Sequence, residues 1–421
     1  MRQNGQWLST LSTTVVALSL VFFLNDSSNS AEPGKSPSKS SSLVDKIILG
    51  YQGWFTCPDD KTGPRNWGHW INSDGTPAVD IIPDTSDLPQ QPGCRAPFIR
   101  DANGRPVMLY SAQNETTVDG QMRSLEQFNI AGVALQRFVS ELRNPVLKQA
   151  RDQVLVNLRT AAERHGRVFF ITYDITGARQ DWVQSIEQDW NTLVASGVTT
   201  SAAYLQDRGH PVVEIWGLGW DNRPAKPRET LGLMKFFTQN PDENLRTSVI
   251  AGVPVGWRDM MKRKSNNPSW DDVYKSVSVI SPWMIGAFKD KESEDKFIDS
   301  RVKGDIAFAR ANGQVYMPVI FPGFSSFNQS HGQQAFNSRP RKCGGFLNMQ
   351  ISSMLALGVT SFYGAMYDEA NEGTALFRAR LDTISSPGAH FLGSEGGCDH
   401  DGTLYLYILE QLSHKLSENK R

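Results

Sequence analysis

Apolar residues along this chain alternate between two textures. Short runs dense in Val, Ile and Phe give way to longer stretches where apolar positions return every three or four residues. The first texture predicts strands and the second amphipathic helices. The strand-like runs are Ile47–Gly50, Gly132–Phe138, Val168–Asp174, Val212–Gly217, Ser248–Pro254, Val277–Met284, Val315–Phe321 and Val359–Tyr367. The helix-like stretches are Met122–Asn129, Pro145–His165, Trp182–Ser196, Arg228–Thr238, Trp270–Ser276, Asp295–Asn312, Gly345–Leu357 and Thr403–Leu416. Strands without strict alternation suit a parallel sheet covered by helices on its faces. Eight strands, each followed by a helix, predict an α/β fold of the (β/α)8 TIM barrel type. The alternative is a doubly wound open sheet, but no Gly-x-Gly-x-x-Gly turn follows an early strand. The segment after the first strand, about residues 52–118, is too long for an ordinary connection. It predicts an insertion on the C-terminal face of the barrel, where barrel active sites lie.

Ahead of this pattern stands MRQNGQWLSTLSTTVVALSLVFFLNDSSNSAEPG, with Arg2 and then the apolar run Leu11–Leu24. That run is about 14 residues against the ~20 that a membrane span needs. It predicts a signal peptide over residues 1–31, cut near Ser30 or Ala31, in preference to an uncleaved anchor. Residues 32–44 are rich in Pro, Ser and Lys and predict a flexible linker. From Asp45 the composition is that of a globular domain, expected to run over residues 45–421. The expectation is therefore a secreted or periplasmic protein with no stable membrane insertion after cleavage.

Export gives the four cysteines a redox context. Cys57–Cys94 with Cys343–Cys398 is the expected pairing because it closes the shorter loops; four free thiols are the other reading. The spacing fits no zinc pattern, and no nucleotide-binding loop is present, so neither a metal nor a cofactor is expected. The formal charge of the 421-residue chain is −1, which leaves no basic excess for neutralising phosphates and argues against a nucleic-acid partner. Eleven tryptophans are the more informative feature, since an indole face can serve as a sugar platform as well as core packing.

The predicted C-terminal strand ends collect the candidate chemistry. Tyr51 and Trp54 end the first strand, Arg137 the second, Asp174 the third and Trp216 the fourth; Trp257 follows the fifth and Trp283 lies in the sixth. His69 and Trp70 lie in the insertion. Each has a bland reading: Arg137 as a structural ion pair, Asp174 as a turn residue, His69 as a satisfied structural histidine, single tryptophans as core. Glu214, inside an apolar strand, faces the lumen or needs a partner. The sharpest feature is Asp368-Glu369-Ala370-Asn371-Glu372-Gly373-Thr374, a strand running into three carboxylates. A helical turn there would put Glu369 and Glu372 at i,i+3 with Cβ atoms about 5–6 Å apart. Two carboxyls so placed suit glycosidic bond cleavage, with crowding pushing their pKa values apart. Glu-x-x-Glu is also common at helix starts, where an acid meets the helix dipole.

The motif Glu369–Thr374 resembles the Glu-x-x-Glu-Gly-Thr signature of glycoside hydrolase families 71 and 99, the latter endo-α-mannosidases and mannanases. Gly50–Phe55 (GYQGWF), Trp67–Trp70 (WGHW), Leu135–Phe138 (LQRF), Tyr173–Gly177 (YDITG) and Val212–Trp220 (VVEIWGLGW) resemble uncharacterised secreted members of that superfamily, in collinear order over most of residues 46–374. The resemblance implies a glycan substrate, Glu369 as the base on a sugar 2-hydroxyl, Glu372 as general acid and then base, and retention through a 1,2-anhydro sugar. The departure is at Ala370 and Asn371, where the mannosidases carry Trp-His. Tyr51, Trp54, His69, Trp70, Arg137, Asp174, Trp216, Trp257, Trp283 and Asp368 are the expected substrate-binding residues. A non-catalytic carbohydrate-binding barrel is the competing function. An esterase is less favoured because no Gly-x-Ser-x-Gly elbow occurs.

Overall fold

The computed structural model describes residues 42–263, 268–393 and 397–418. The expected signal peptide and nearly all of the expected linker lie outside the described residues. In chain order the strands begin with β1 (Ile47–Tyr51), β2 (Arg95–Asp101), β3 (Pro106–Met108), β4 (Gly132–Phe138) and β5 (Val168–Asp174). They continue with β6 (Gln206–Asp207), β7 (His210–Trp216), β8 (Ser248–Pro254) and β9 (Val279–Trp283). The last are β10 (Val315–Tyr316), β11 (Val319–Ile320), β12 (Phe362–Gly364) and β13 (Ile384–Ser385).

One ladder runs β10-β9-β8-β7-β5-β4-β1-β12-β11, and its pairings are parallel. Its two ends, β10 and β11, are separated in sequence by Met317 and Pro318 alone. They are one interrupted strand. The Met317 N–H donates to Ile280 O at 2.9 Å on one side, and the Ala365 N–H donates to Ile320 O at 2.9 Å on the other. The sheet thus closes on itself as an eight-stranded barrel. Pro318, which has no N–H to give a ladder, marks the interruption. The expected barrel is present, with its seventh strand in two pieces.

Barrel strands are buried on both faces: β5 and β1 have no exposed residue. That explains the continuous apolar runs in the sequence. Three boundaries differ most from expectation. The first helix spans Glu115–Gln127, opening at Asn114, whose side chain accepts the Thr116 N–H. The insertion therefore ends at residue 114, since a polar first turn hid the helix start. The helix expected over Asp295–Asn312 begins at Lys291 behind an Asp290 capping box and passes through a π-helical segment, Ile298–Val302. The eighth strand is short, and beyond Gly364 the chain follows an irregular path that includes a cis peptide between Ala365 and Met366. No described helix is long and apolar enough to cross a membrane.

Two long segments cover the C-terminal mouth, and they are sewn together. The Asp80 N–H donates to Ala370 O, the Leu392 N–H to Asp80 O, and the Arg380 N–H to Ile82 O. A small antiparallel sheet, β13-β2-β3, joins the insertion to the chain after the eighth strand. Both expected disulfides form: Cys57–Cys94 inside the insertion and Cys343–Cys398 between the segments after the seventh and eighth strands.

Candidate active site

The eighth strand delivers the acidic motif to the barrel mouth, where a tight turn takes the place of the expected helical one. The Gly373 N–H donates to Ala370 O and the Thr374 N–H to Glu369 O, folding Glu372 back beside Glu369. Gly373 sits at φ +59°, a left-handed backbone that L side chains avoid. The turn is held from three sides. The Arg341 guanidinium donates to Gly373 O at 2.8 Å and Ala375 O at 2.7 Å. The Ser325 N–H donates to Glu372 O at 2.8 Å. The Asn371 amide donates to His69 O at 2.8 Å and Ala78 O at 2.9 Å. Ala370 and Asn371, where the sequence departs from the mannosidase pattern, are therefore buried ties to the insertion.

Behind this turn lies a buried aspartate, Asp80. It accepts the Ser325 hydroxyl at 2.5 Å and the backbone N–H groups of Phe327 and Asn328, both at 2.8 Å. One carboxylate thus fixes the segment whose Ser325 N–H holds Glu372. Nothing in local sequence marks this role, because its partners lie more than 240 residues away.

The three acids separate by environment. Asp368 is fully buried and accepts the backbone N–H groups of Gln52 at 2.7 Å and Gly53 at 2.9 Å. It pins the end of β1 to the end of the eighth strand and does not open to the pocket, so the expected sugar contact is corrected to a clip. Burial pushes its carboxyl up to about 6 in spite of those two donors. Glu369 is nearly buried; its Oε2 accepts the Gln52 side-chain amide at 2.8 Å and its Oε1 has no partner. Burial, then the charges of Glu372 and Asp368, hold its carboxyl well above the usual range. Glu372 is half-buried, and burial pushes it up to about 6. Two carboxyls crowded in a dry site favour sharing a single proton across neutral pH.

The lumen below them is polar. Glu214 on β7 accepts the Thr172 hydroxyl at 2.8 Å, and burial pushes its carboxyl up to about 8. Asp174 accepts the Gln136 amide and the Thr176 N–H, both at 2.7 Å. Tyr363 on the eighth strand feels the charges of Glu214, Asp174 and Asp368. Strands four and eight lie on opposite sides of such a barrel, so only the lumen can bring Glu214 and Tyr363 together. Gly50 faces the same space: a Cβ there would stand 2.4 Å from the Tyr363 hydroxyl.

Two aromatic groups flank the mouth. Trp54 stacks on His69 (4.0 Å, 6°) and on Phe138 (5.6 Å, 11°). Burial and the nearby Arg151 charge lower His69 to about 3, so it is a neutral ring in this stack. Across the barrel, half-buried Trp216 meets Trp220 at 4.8 Å and Trp283 at 5.3 Å. Trp220 was missed; its place in the fourth-strand motif two residues after Leu218 carried no orientation. Gln52 was missed too, although a polar residue closing an apolar strand is a visible cue.

Four expected contacts point elsewhere. Arg137 is enclosed between two helices, donating to Asp189 at 2.6 and 2.9 Å and to Asp152 at 3.0 Å. Tyr51 turns outward to donate to Gln121 at 2.6 Å. Trp70 is fully buried, tilted on Phe55 and donating to Tyr110 O. Trp257 is fully buried between Tyr274 and Phe308. Adjacent strand residues face opposite sides, and in each of the strand cases the neighbour, Gln136 or Gln52, took the inward place. Cavities of about 200 Å³, beside Tyr110 and Tyr367, and about 580 Å³, beside Arg143 and Trp182, include neither glutamate. Among the described residues no three His, Cys, Asp or Glu side chains are grouped to hold a metal ion.

The raised carboxyls predict how stability follows pH. A group whose folded pKa exceeds its unfolded value binds more protons in the native state, so stability falls as pH rises between the two values. For Glu214 that window runs from the ordinary 4.5 to about 8. Melting temperature is expected to be higher near pH ~5 than near ~8, and Glu214→Gln to flatten that slope by on the order of 1 kcal/mol or more. Calorimetry across the range checks this; a slope unchanged by the substitution counts against it.

No protein-family model matches the chain, and no curated protein does. Among solved structures it is similar to the family 99 endo-α-mannosidase from Bacteroides thetaiotaomicron, at 14% identity and TM-score 0.65, covering 90% of this chain and 99% of that one. A second structure of an endo-α-mannosidase of that family and organism gives TM-score 0.63 at the same identity and coverage. A glycoside hydrolase-like protein matches at 11% identity and TM-score 0.55, over 89% of this chain and 94% of the other. At such identities the likeness is one of fold, and it agrees with the barrel that the apolar pattern predicts.

Proposed function

We propose that the chain is a secreted glycoside hydrolase that cleaves a polysaccharide or oligosaccharide, with Glu369 and Glu372 as the working pair. The observation that carries this is the pair itself: two carboxyls folded side by side at the barrel mouth, both pushed above the ordinary range by burial. The fold likeness supports the reaction class, and the flanking tryptophan groups support a glycan.

In this reading Glu369 takes the 2-hydroxyl proton and Glu372 protonates the leaving oxygen. A carboxylate with a raised pKa is a stronger base once ionised, which suits the weakly acidic hydroxyl. The Gln52 amide on Oε2 favours that ionised form. Glu372, near 6, is matched to giving and regaining a proton near neutrality. The pair's one proton then rests on Glu372 in the reactive state.

The test is incubation of mature protein with a panel of plant, algal and fungal glycans, beside Glu369→Gln and Glu372→Gln. Sugar release by the wild type and by neither variant is expected. Binding without release would leave a carbohydrate-binding barrel, and undiminished release by both variants would remove these residues from the site.

Export belongs to the same proposal, supported by two disulfides and by the N-terminal apolar run. N-terminal sequencing of protein recovered outside the cytoplasm is expected to begin near Ser30 or Ala31; a start at Met1 would contradict cleavage.

A further inference from the structure

The aromatic group on the fourth strand holds a cation that the chemistry above does not use. Arg223 lies in the connection after β7, its guanidinium carbon 5.7 Å from the centre of the Trp216 ring. It is half-buried, and its Nε is buried without an acceptor. Among the described residues no carboxylate forms a salt bridge with it. Arg137, Arg151 and Arg258, by contrast, each donate to a buried or half-buried acid. Asp174 is close enough for its charge to be felt, but that carboxylate is already occupied by Gln136 and Thr176.

A half-buried guanidinium that no carboxylate pairs keeps its positive charge available to an anionic ligand. A guanidinium near an indole face is fixed in orientation, and its planar fork matches a carboxylate or sulfate better than it matches a single hydroxyl. Trp216, Trp220 and Trp283 beside it offer apolar faces to a sugar ring. We propose that Arg223 reads an anionic substituent, a sulfate ester or a uronate carboxylate, on the glycan that enters this mouth. This rests on the hydrolase reading for where the glycan lies, and it names an acidic glycan as the substrate class.

The test measures binding apart from cleavage. Glu372→Gln protein is titrated with carrageenan, chondroitin sulfate, alginate and polygalacturonate, each beside its desulfated or carboxyl-reduced form. At least one acidic glycan is expected to bind about tenfold to hundredfold tighter than its neutral counterpart. Adding Arg223→Gln is expected to erase that difference, and Arg223→Lys, which keeps the charge without the fork, to restore part of it. Circular dichroism and melting temperature confirm that each variant is folded. Three results overturn the proposal: no preference for any acidic form, a preference that survives Arg223→Gln, or an equal loss of both forms in that variant. Cleavage of neutral glycans with no acidic preference would sink Arg223 and leave the hydrolase standing. Acidic binding through Arg223 with no cleavage by the wild type would do the reverse.

Discussion

Glu372→Gln is expected to lower turnover of a natural glycan by about 10²–10⁴-fold, the contribution of a positioned proton donor. Glu369→Gln should be at least as damaging, because the adjacent carboxylate cannot replace it: Asp368 is committed to the Gln52 and Gly53 N–H groups. The two variants separate by leaving group. An aryl glycoside whose phenol leaves unaided needs no acid. Glu372→Gln should therefore release a first burst of phenol at much of the wild-type rate, ahead of the water step in which Glu372 acts as base. The aryl glycoside still needs the 2-hydroxyl proton removed, so Glu369→Gln should stay inactive. If the burst appears in Glu369→Gln instead, the two roles are exchanged. Such an exchange has a physical basis, since burial and the neighbouring Glu372 charge hold the Glu369 carboxyl well above the usual range, which favours its protonated form in the empty site.

The second large effect is on stability. Arg137→Met should destabilise the protein by about 3–5 kcal/mol, because it takes from buried Asp189 its two guanidinium donors and leaves it the Tyr173 hydroxyl and a Lys148 ammonium 3.8 Å away. Burial works against the Arg137 charge, but Asp189, Tyr173 and Asp152 outweigh it and hold the guanidinium firmly protonated. The Tyr173 hydroxyl donates to the same Asp189 carboxylate at 2.8 Å, so the whole group shares the loss. Denaturant unfolding gives the number. Replacing Asp189 by Leu in the same molecule should recover most of it, since an apolar pair of similar volume replaces such an ion pair at little cost. KM for the glycan should stay at the wild-type value in folded Arg137→Met. A raised KM at intact stability would return Arg137 to the sugar site.

The alternation of apolar runs with amphipathic stretches was enough for the barrel, because each strand must be covered by the helix that comes after it. The Glu369–Thr374 signature located the acids at the end of the eighth strand. The four cysteines adopt the expected pairing that closes the shorter loops, and the structure sets it apart from four free thiols. Orientation was another matter. Barrel strands are apolar on both faces, so their pattern carries no phase that says which residue looks inward. Arg137 and Tyr51 therefore resemble pocket residues in the sequence, while their neighbours Gln136 and Gln52 hold that place.

What the chain alone determined is the architecture and the position of the acidic motif, since both arise from local composition and order along the sequence. What tertiary structure decided is the environment of each acid. Asp368, Glu369 and Glu372 lie within five positions of one another, yet one became a backbone clip, one a buried carboxyl on Gln52, and one a half-open partner. Asp80 and Ser325 lock that difference in place from distant parts of the chain. A carboxyl's chemistry is set by its solvation and its nearest charges, and those arrive only when remote segments close over the barrel mouth.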